Sequence, residues 1–251
     1  RFVMMKMDES NTINNWLDTP DVRHPQDQWI LSRLNVTTGK VNSYMKNYQF
    51  GEAQLITHDF IWNEYCDWYI EMAKTRLKNK DLDCIHVLPY VLEKTLRLLH
   101  PFMPFLTETI WQNLTKKLPE SIYGDFSKNI PALIIAAYPK ADKSLFNEKA
   151  ENDVNGIIEI IKAIRNIRSE FRIKPSEKIN ARVQTNLGAE MLAQQSETIK
   201  SLAFLNSLII EDARDVESDE ASLVLEQSTV VISFEGLVDI ENEKKRLLDE
   251  L

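Results

Sequence analysis

Apolar side chains return every three or four positions through most of the first 170 residues, which predicts a succession of amphipathic helices. Residues 1–7 read as the end of a helix, and the polar stretch Asp8 to Arg23, punctuated by Pro20 and Pro25, as a loop. From Asp27 to Tyr48 the apolar positions are Ile30, Leu34, Val41, Met45 and Tyr48, one helical face. The stretch from Gly51 to Arg76 carries two apolar stripes at 100° per residue. Ala53, Ile56, Phe60, Ile61, Trp68 and Met72 form one, and Leu55, Trp62, Cys66 and Tyr69 the other. A helix greasy on two sides is expected to be covered from two directions, as the middle helix of a bundle is. A third helix runs from Leu82 to Leu99, ends at Pro101, and is followed by a shorter one that Pro104 opens and Ile110, Trp111 and Leu114 continue.

Residues 116–143 contain three prolines and the run Leu133 to Ala137, which predicts an extended connector with room for one strand. Asn147 to Phe171 is helical again, with Ile157, Ile160, Ile164, Ile167 and Phe171 on one face and Lys162, Arg165, Arg168 and Arg172 on the adjacent one. After Pro175 the period drops to two. Strands are expected at Ile179–Gln184 and Leu208–Ile210, a helix at Ala189–Leu205, and a hairpin from Ala221–Glu226 and Thr229–Glu235. The acidic stretch Glu211 to Glu220 reads as a solvated loop. Asp239 to Leu251 is a charged helix with Ile240, Leu247 and Leu251 seven and four apart, too short to establish a coiled coil by itself.

Composition narrows the chemistry. A chain of 251 residues, 43% hydrophobic, can bury one large or two modest cores, and its six glycines include no phosphate-cradling Gly-x-x-x-x-Gly-Lys or Gly-x-Gly-x-x-Gly string. Two cysteines, Cys66 and Cys84, are too few for a disulfide framework or a zinc site, so a reduced, cytoplasmic setting fits. No run of 18 apolar residues and no signal peptide is seen, which argues against a membrane. His58, His86 and His100 stand in no nucleophile or metal-ligand arrangement, and a local hydrogen bond is expected for His100 beside Pro101. The net charge of -8 is unevenly spread: residues 1–143 hold 17 basic and 17 acidic side chains, 144–183 hold 8 and 6, and 184–251 hold 5 and 15. Phosphate attraction follows local potential, so the first 183 residues remain compatible with a polyanion.

Specific stretches carry a family resemblance. Trp62-Asn63-Glu64-Tyr65-Cys66-Asp67-Trp68-Tyr69-Ile70-Glu71 resembles the second bundle helix of the anticodon-binding domain of valyl-tRNA synthetases. Leu98-Leu99-His100-Pro101-Phe102-Met103-Pro104-Phe105-Leu106-Thr107-Glu108 is similar to a run shared more widely among class Ia synthetases. Arg1-Phe2-Val3-Met4-Met5, Asp27 to Leu34, Ile164 to Glu170 with Pro175, and Gly236 to Glu241 match further family segments in family order. The resemblance implies a mainly α fold: an antiparallel helical bundle with its connector over 1–143, a basic helix with a small α/β subdomain over 144–236, and the start of a C-terminal coiled-coil arm over 237–251. It also implies a fragment of a monomeric, ATP- and Mg-dependent enzyme whose catalytic domain lies upstream. Neither the His-Ile-Gly-His nor the Lys-Met-Ser-Lys-Ser type of signature is present, so the segment itself is expected to hold no cofactor and to be catalytically inert.

The partner the resemblance implies is the anticodon stem-loop of valine tRNA. Unstacked loop bases are held by aromatic or guanidinium stacking, and lysine and arginine follow the phosphates. Arg1, Phe2, Trp29 and Arg33 lie in the stretches similar to the anticodon-side helices and are nominated as contacts. Core packing is the other place for Trp29, and an ion pair with Asp27 or another carboxylate the other role for Arg33. Lys74 and Arg76, clustered with Lys78 and Lys80, would meet phosphate or stabilise a helix C-terminus. Lys162, Arg165, Arg168 and Arg172 would face RNA, an interdomain carboxylate or simply water, the first two being favoured by the repulsion of four like charges in one strip. Glu64, inside an apolar stripe, needs a cation or amide partner. Two alternatives stay open: the equivalent domain of an isoleucyl or leucyl enzyme, and a helical protein-interaction scaffold.

Overall fold

The computed structural model describes residues 1–9, 16–174, 176–185, 189–211, 220–226 and 228–233. The chain divides into two compact units, Arg1–Glu151 and Asn152–Leu251. The arm expected over 237–251, and most of the acidic stretch after Glu211, lie outside the described residues.

The first unit is helical: α1 (Phe2–Glu9), α2 (Pro25–Lys46), α3 (Phe50–Asp59), a π-helical segment (Phe60–Tyr69), α4 (Ile70–Lys78), α5 (Cys84–Leu99), α6 (Pro104–Thr115) and α7 (Glu120–Asn129). Pro25 sits in the first turn of α2, and the His24 imidazole caps it by accepting a 3.4 Å hydrogen bond from the Gln26 N–H. A short turn around Tyr48 reverses the chain, and α3, the π-helical segment and α4 return along α2 as one continuous rod. Two polar rungs prove the antiparallel pairing. Asp27, near the start of α2, bonds Tyr69 and Arg76, while Arg33, further along, bonds Glu64. The core centres on Trp29, Ile30, Tyr65, Tyr69, Met72, Leu88, Leu98, Trp111 and Leu114, all almost fully buried.

The π-helical segment corrects the expected stripes. Wider turns put residues five apart on one side, so Phe60 and Tyr65 are both buried, and Tyr69 with them. Leu55 and Trp62 of the expected second stripe are instead 61% and 58% exposed, so that face is not covered as expected. Tyr48 is likewise not part of a buried face: α2 ends at Lys46, and Tyr48 is 81% exposed. The extended connector is corrected too. Pro119 caps α7 at its N-terminus and Pro131 follows its end, so two of the three prolines bracket a helix. Leu133–Ile135 is a single 3-10 turn, not a strand.

In the second unit α8 (Glu148–Glu170), which begins just before the division, is followed by β1 (Ile179–Thr185), α9 (Ala189–Gln194), α10 (Ser196–Ala203), β2 (Leu205–Glu211), β3 (Glu220–Val224) and β4 (Ser228–Ser233). The sheet order is β2-β1-β4-β3. β1 runs parallel to β2 and antiparallel to β4, with Ala181 opposite Leu208 on one side and Ile232 on the other. A parallel pair needs a crossover, which α9 and α10 supply. The single helix expected over 189–205 is two, broken at Gln195, and β2 is longer than the expected Leu208–Ile210.

Candidate nucleic-acid interface

The nominated residues fall into three groups. Two sit at one end of the rod: the Lys74 ammonium lies 5.4 Å from the centre of the Phe2 ring, a cation-π contact, and is also 2.5 Å from Glu71. Arg1 is exposed beside Phe2. Residues far apart in sequence thus form one small aromatic and cationic surface.

A second group is internal. Trp29 is 2% exposed and Arg76 5%, so neither presents its ring or guanidinium to solvent. Arg76 donates to Asp27 at 2.6 Å and Asp81 at 2.7 Å, and the Tyr69 hydroxyl donates to the same Asp27 oxygen at 2.7 Å. Burial works to lower the Arg76 pKa, but its hydrogen bonds to these carboxylates win and the pKa rises. Arg33 makes a bidentate pair with Glu64 at 2.7 and 2.9 Å and a third bond to Glu151 at 3.1 Å. Its pKa is raised, chiefly by the Glu64 hydrogen bond. Glu64 thereby obtains the cation its position demands. The ion pair expected for Arg33 with Asp27 or another carboxylate is made with Glu64 and Glu151, and Asp27 serves Arg76.

The stripe on α8 resolves into two kinds of residue. Arg165 donates twice to the Leu202 carbonyl, at 3.1 and 2.8 Å, in the last turn of α10. Arg168, 7% exposed, donates to the carbonyls of Phe204, Lys174 and Glu177 at 3.4, 3.0 and 2.8 Å. Carbonyl dipoles at a helix end and a turn offset part of the repulsion within the stripe. Lys162 and Arg172 are exposed.

Several aromatics are exposed among the described residues, and the sequence did not mark Tyr48, Phe50 and Trp62 as such. Tyr48 and Phe50, 81% and 49% exposed, meet edge to face at 6.2 Å on the turn between α2 and α3. Trp62 stacks on His58 at 5.3 Å. The signal for the first pair was present: two aromatics flanking a turn just ahead of Gly51. The expected local bond of His100 is found, Nδ1 to Thr107 Oγ1 at 2.7 Å. Among the described residues no group of three or more His, Cys, Asp or Glu could hold a metal ion, and no helix is long and apolar enough to cross a membrane.

The first unit is thus a helical bundle that exposes aromatic rings and basic helix ends, with the buried carboxylates Asp27 and Glu93 in ion pairs. Residues 27–184 match the family model described as the anticodon-binding domain of tRNA ligase, and the chain belongs to that family. It is 38% identical to a valine–tRNA ligase of Dehalococcoides mccartyi, over 100% of this chain and 28% of that protein. It is also 36% identical to that of Bacillus licheniformis, over 98% and 27%, and 34% identical to that of Aquifex aeolicus, over 90% and 20%. The chain spans 20–28% of the length of these relatives.

Proposed function

We propose that this chain is the anticodon stem-loop binding module of a valine–tRNA ligase. The family match across residues 27–184 carries this reading, and the names of the relatives supply the amino acid. In the whole protein, ATP-dependent attachment of valine to tRNA belongs to a catalytic domain outside this chain, and ATP and Mg act there. The protein works as a cytoplasmic monomer, and this module adds discrimination at the anticodon and performs no bond-making.

Within the module the exposed Tyr48–Phe50 pair stacks on unpaired loop bases, and the Arg1, Phe2 and Lys74 surface, with Lys162 and Arg172, follows strand phosphates. Trp29, Arg33 and Arg76 act through the fold that positions these surfaces. The test is fluorescence anisotropy with 17-nucleotide hairpins carrying valine, isoleucine and leucine anticodons. The valine hairpin should bind tightest, with affinity falling as salt rises. Tyr48→Ala or Phe50→Ala should each weaken it by about 1–3 kcal/mol, the usual worth of one base-aromatic stack. Equal binding of all three hairpins with no salt dependence would return the chain to the scaffold reading.

A further inference from the structure

The segment from Ala137 to Leu145 is strapped across α2 and α5. The Arg97 guanidinium donates to the Ala137 carbonyl at 2.9 Å and Tyr138 Oη to the Leu98 carbonyl at 3.2 Å. On the α2 side, Asn42 donates to the Pro139 carbonyl at 3.2 Å, and Asn35 Oδ1 accepts the Asp142 N–H at 2.5 Å. The strap packs closely on α2 at Gly39, where a Cβ would stand in ordinary contact, 3.5 Å from Ala141 Cβ. Between strap and helices remains an open cleft of about 440 Å³.

Its walls are chemically divided. Lys94, Arg97 and Lys140 supply cations, and Tyr138, Pro139 and Leu145 the apolar surface, since Leu31 and Leu34 are almost fully buried. The Lys94 ammonium lies 5.1 Å from the centre of the Tyr90 ring and 3.5 Å from Glu93. Arg97 spends Nε on Glu93 at 2.5 Å and Nη1 on Ala137, which leaves Nη2 for a ligand. Lys140 is exposed and makes no ion pair among the described residues. Asp142 is the one carboxylate on the lining, and one of its oxygens accepts from Ser144 N–H and Oγ at 2.9 and 2.7 Å. Counting Glu93 as well, three cations face two carboxylates, so one positive charge is in excess.

We propose that this cleft takes a single unstacked nucleotide, its phosphate on Lys94, Arg97 and Lys140 and its base against Tyr138 and Leu145. Cavities of this size hold a ligand of nucleotide dimensions, and pairing a cationic wall with an apolar one matches phosphate plus flat ring. Thr38, on the lining, stands ten residues of chain from Tyr48, about 15 Å at the helical rise, so one RNA strand can serve both places. The nucleotide belongs to the RNA strand of the proposed function, on which the assignment to RNA rests; a free nucleoside monophosphate offers the same chemistry.

The test uses the 251-residue chain, the valine-anticodon hairpin and AMP as separate probes. The double variant Lys94→Gln/Lys140→Gln should bind the hairpin about tenfold more weakly at low salt, with the slope of log K against log salt reduced by about 1 to 2. It should also lose AMP binding measured by calorimetry. Lys128→Gln, exposed on α7, is the charge control and should change neither. Loss of AMP binding with an unchanged hairpin still assigns the cleft to nucleotides but names the free one as occupant. Unchanged binding of both probes overturns the inference while leaving the tRNA reading standing. Should no hairpin bind the unaltered chain, that reading falls, and the AMP arm alone decides the cleft.

Discussion

His24 shows how much one side chain can decide. It caps α2 through an unprotonated ring nitrogen, and its surroundings keep it that way. Burial lowers its pKa below 6.5 and Arg76 lowers it further, against the opposing pull of Asp27, Asp81 and Asp83. Between the lowered folded value and 6.5 the unfolded chain binds more protons than the folded one, so stability rises with pH through that window. The contribution is complete above the unfolded value and is lost as pH falls through the folded one. Asp81, lowered because Arg76 outweighs burial, adds a loss of the same sign at more acid pH. Urea titrations at pH 7.5 and 5.5 should show the unaltered chain weakening over the upper window. His24→Asn, which caps without titrating, should flatten that part of the change. An unaltered pH profile in the variant would mean that the cap is not the sensitive group.

At the scale of elements, four turns share a device. Tyr48, Lys80, Arg172 and Phe204 each adopt positive φ, at 59°, 65°, 51° and 57°, just beyond the ends of α2, α4, α8 and α10. Left-handed residues commonly terminate helices, but they are usually glycine, because a Cβ there is strained. Lys80→Gly should therefore raise stability by about 0.5–1 kcal/mol in urea titration. Tyr48→Gly should give a similar backbone gain while weakening the hairpin, the signature of a side chain kept for binding. If it binds as tightly as the unaltered chain, the stacking role is gone. Helix limits set by punctuation were legible in sequence, as Pro101 and Pro104 show for α5 and α6. The π-helical segment was not, because a fixed 100° step assumes the very turn width that changes there. Nor was α7, where prolines at both ends looked like breakers within a coil. The ion pairs were only half legible: Glu64 announced its need for a cation, but the partner, 31 positions away, depends on how two helices pair.

For the whole molecule, net charge is a poor guide to which surface meets RNA. The basic stripe on α8 contributes two of its members to holding carbonyls in the second unit, and the first unit, where residues 1–143 balance 17 charges of each sign, carries the exposed Tyr48, Phe50 and Trp62. Arg168→Met separates these roles. It takes a donor from the carbonyls of Phe204, Lys174 and Glu177, of which Lys174 keeps the Glu177 N–H, and a buried acceptor left unmet costs about 1–3 kcal/mol. Since the chain forms two compact units, that cost should fall on the unit holding Arg168. Hydrogen exchange should show faster amides within residues 152–211, with protection in α2, α5 and α6 unchanged, and the hairpin should bind as before. Lys162→Gln/Arg172→Gln, at the exposed ends of the stripe, should do the reverse, leaving exchange unaltered and lowering affinity and its salt slope. If Arg168→Met instead weakened the hairpin without loosening those amides, its guanidinium would belong to the RNA surface and the carbonyl-holding role would fail.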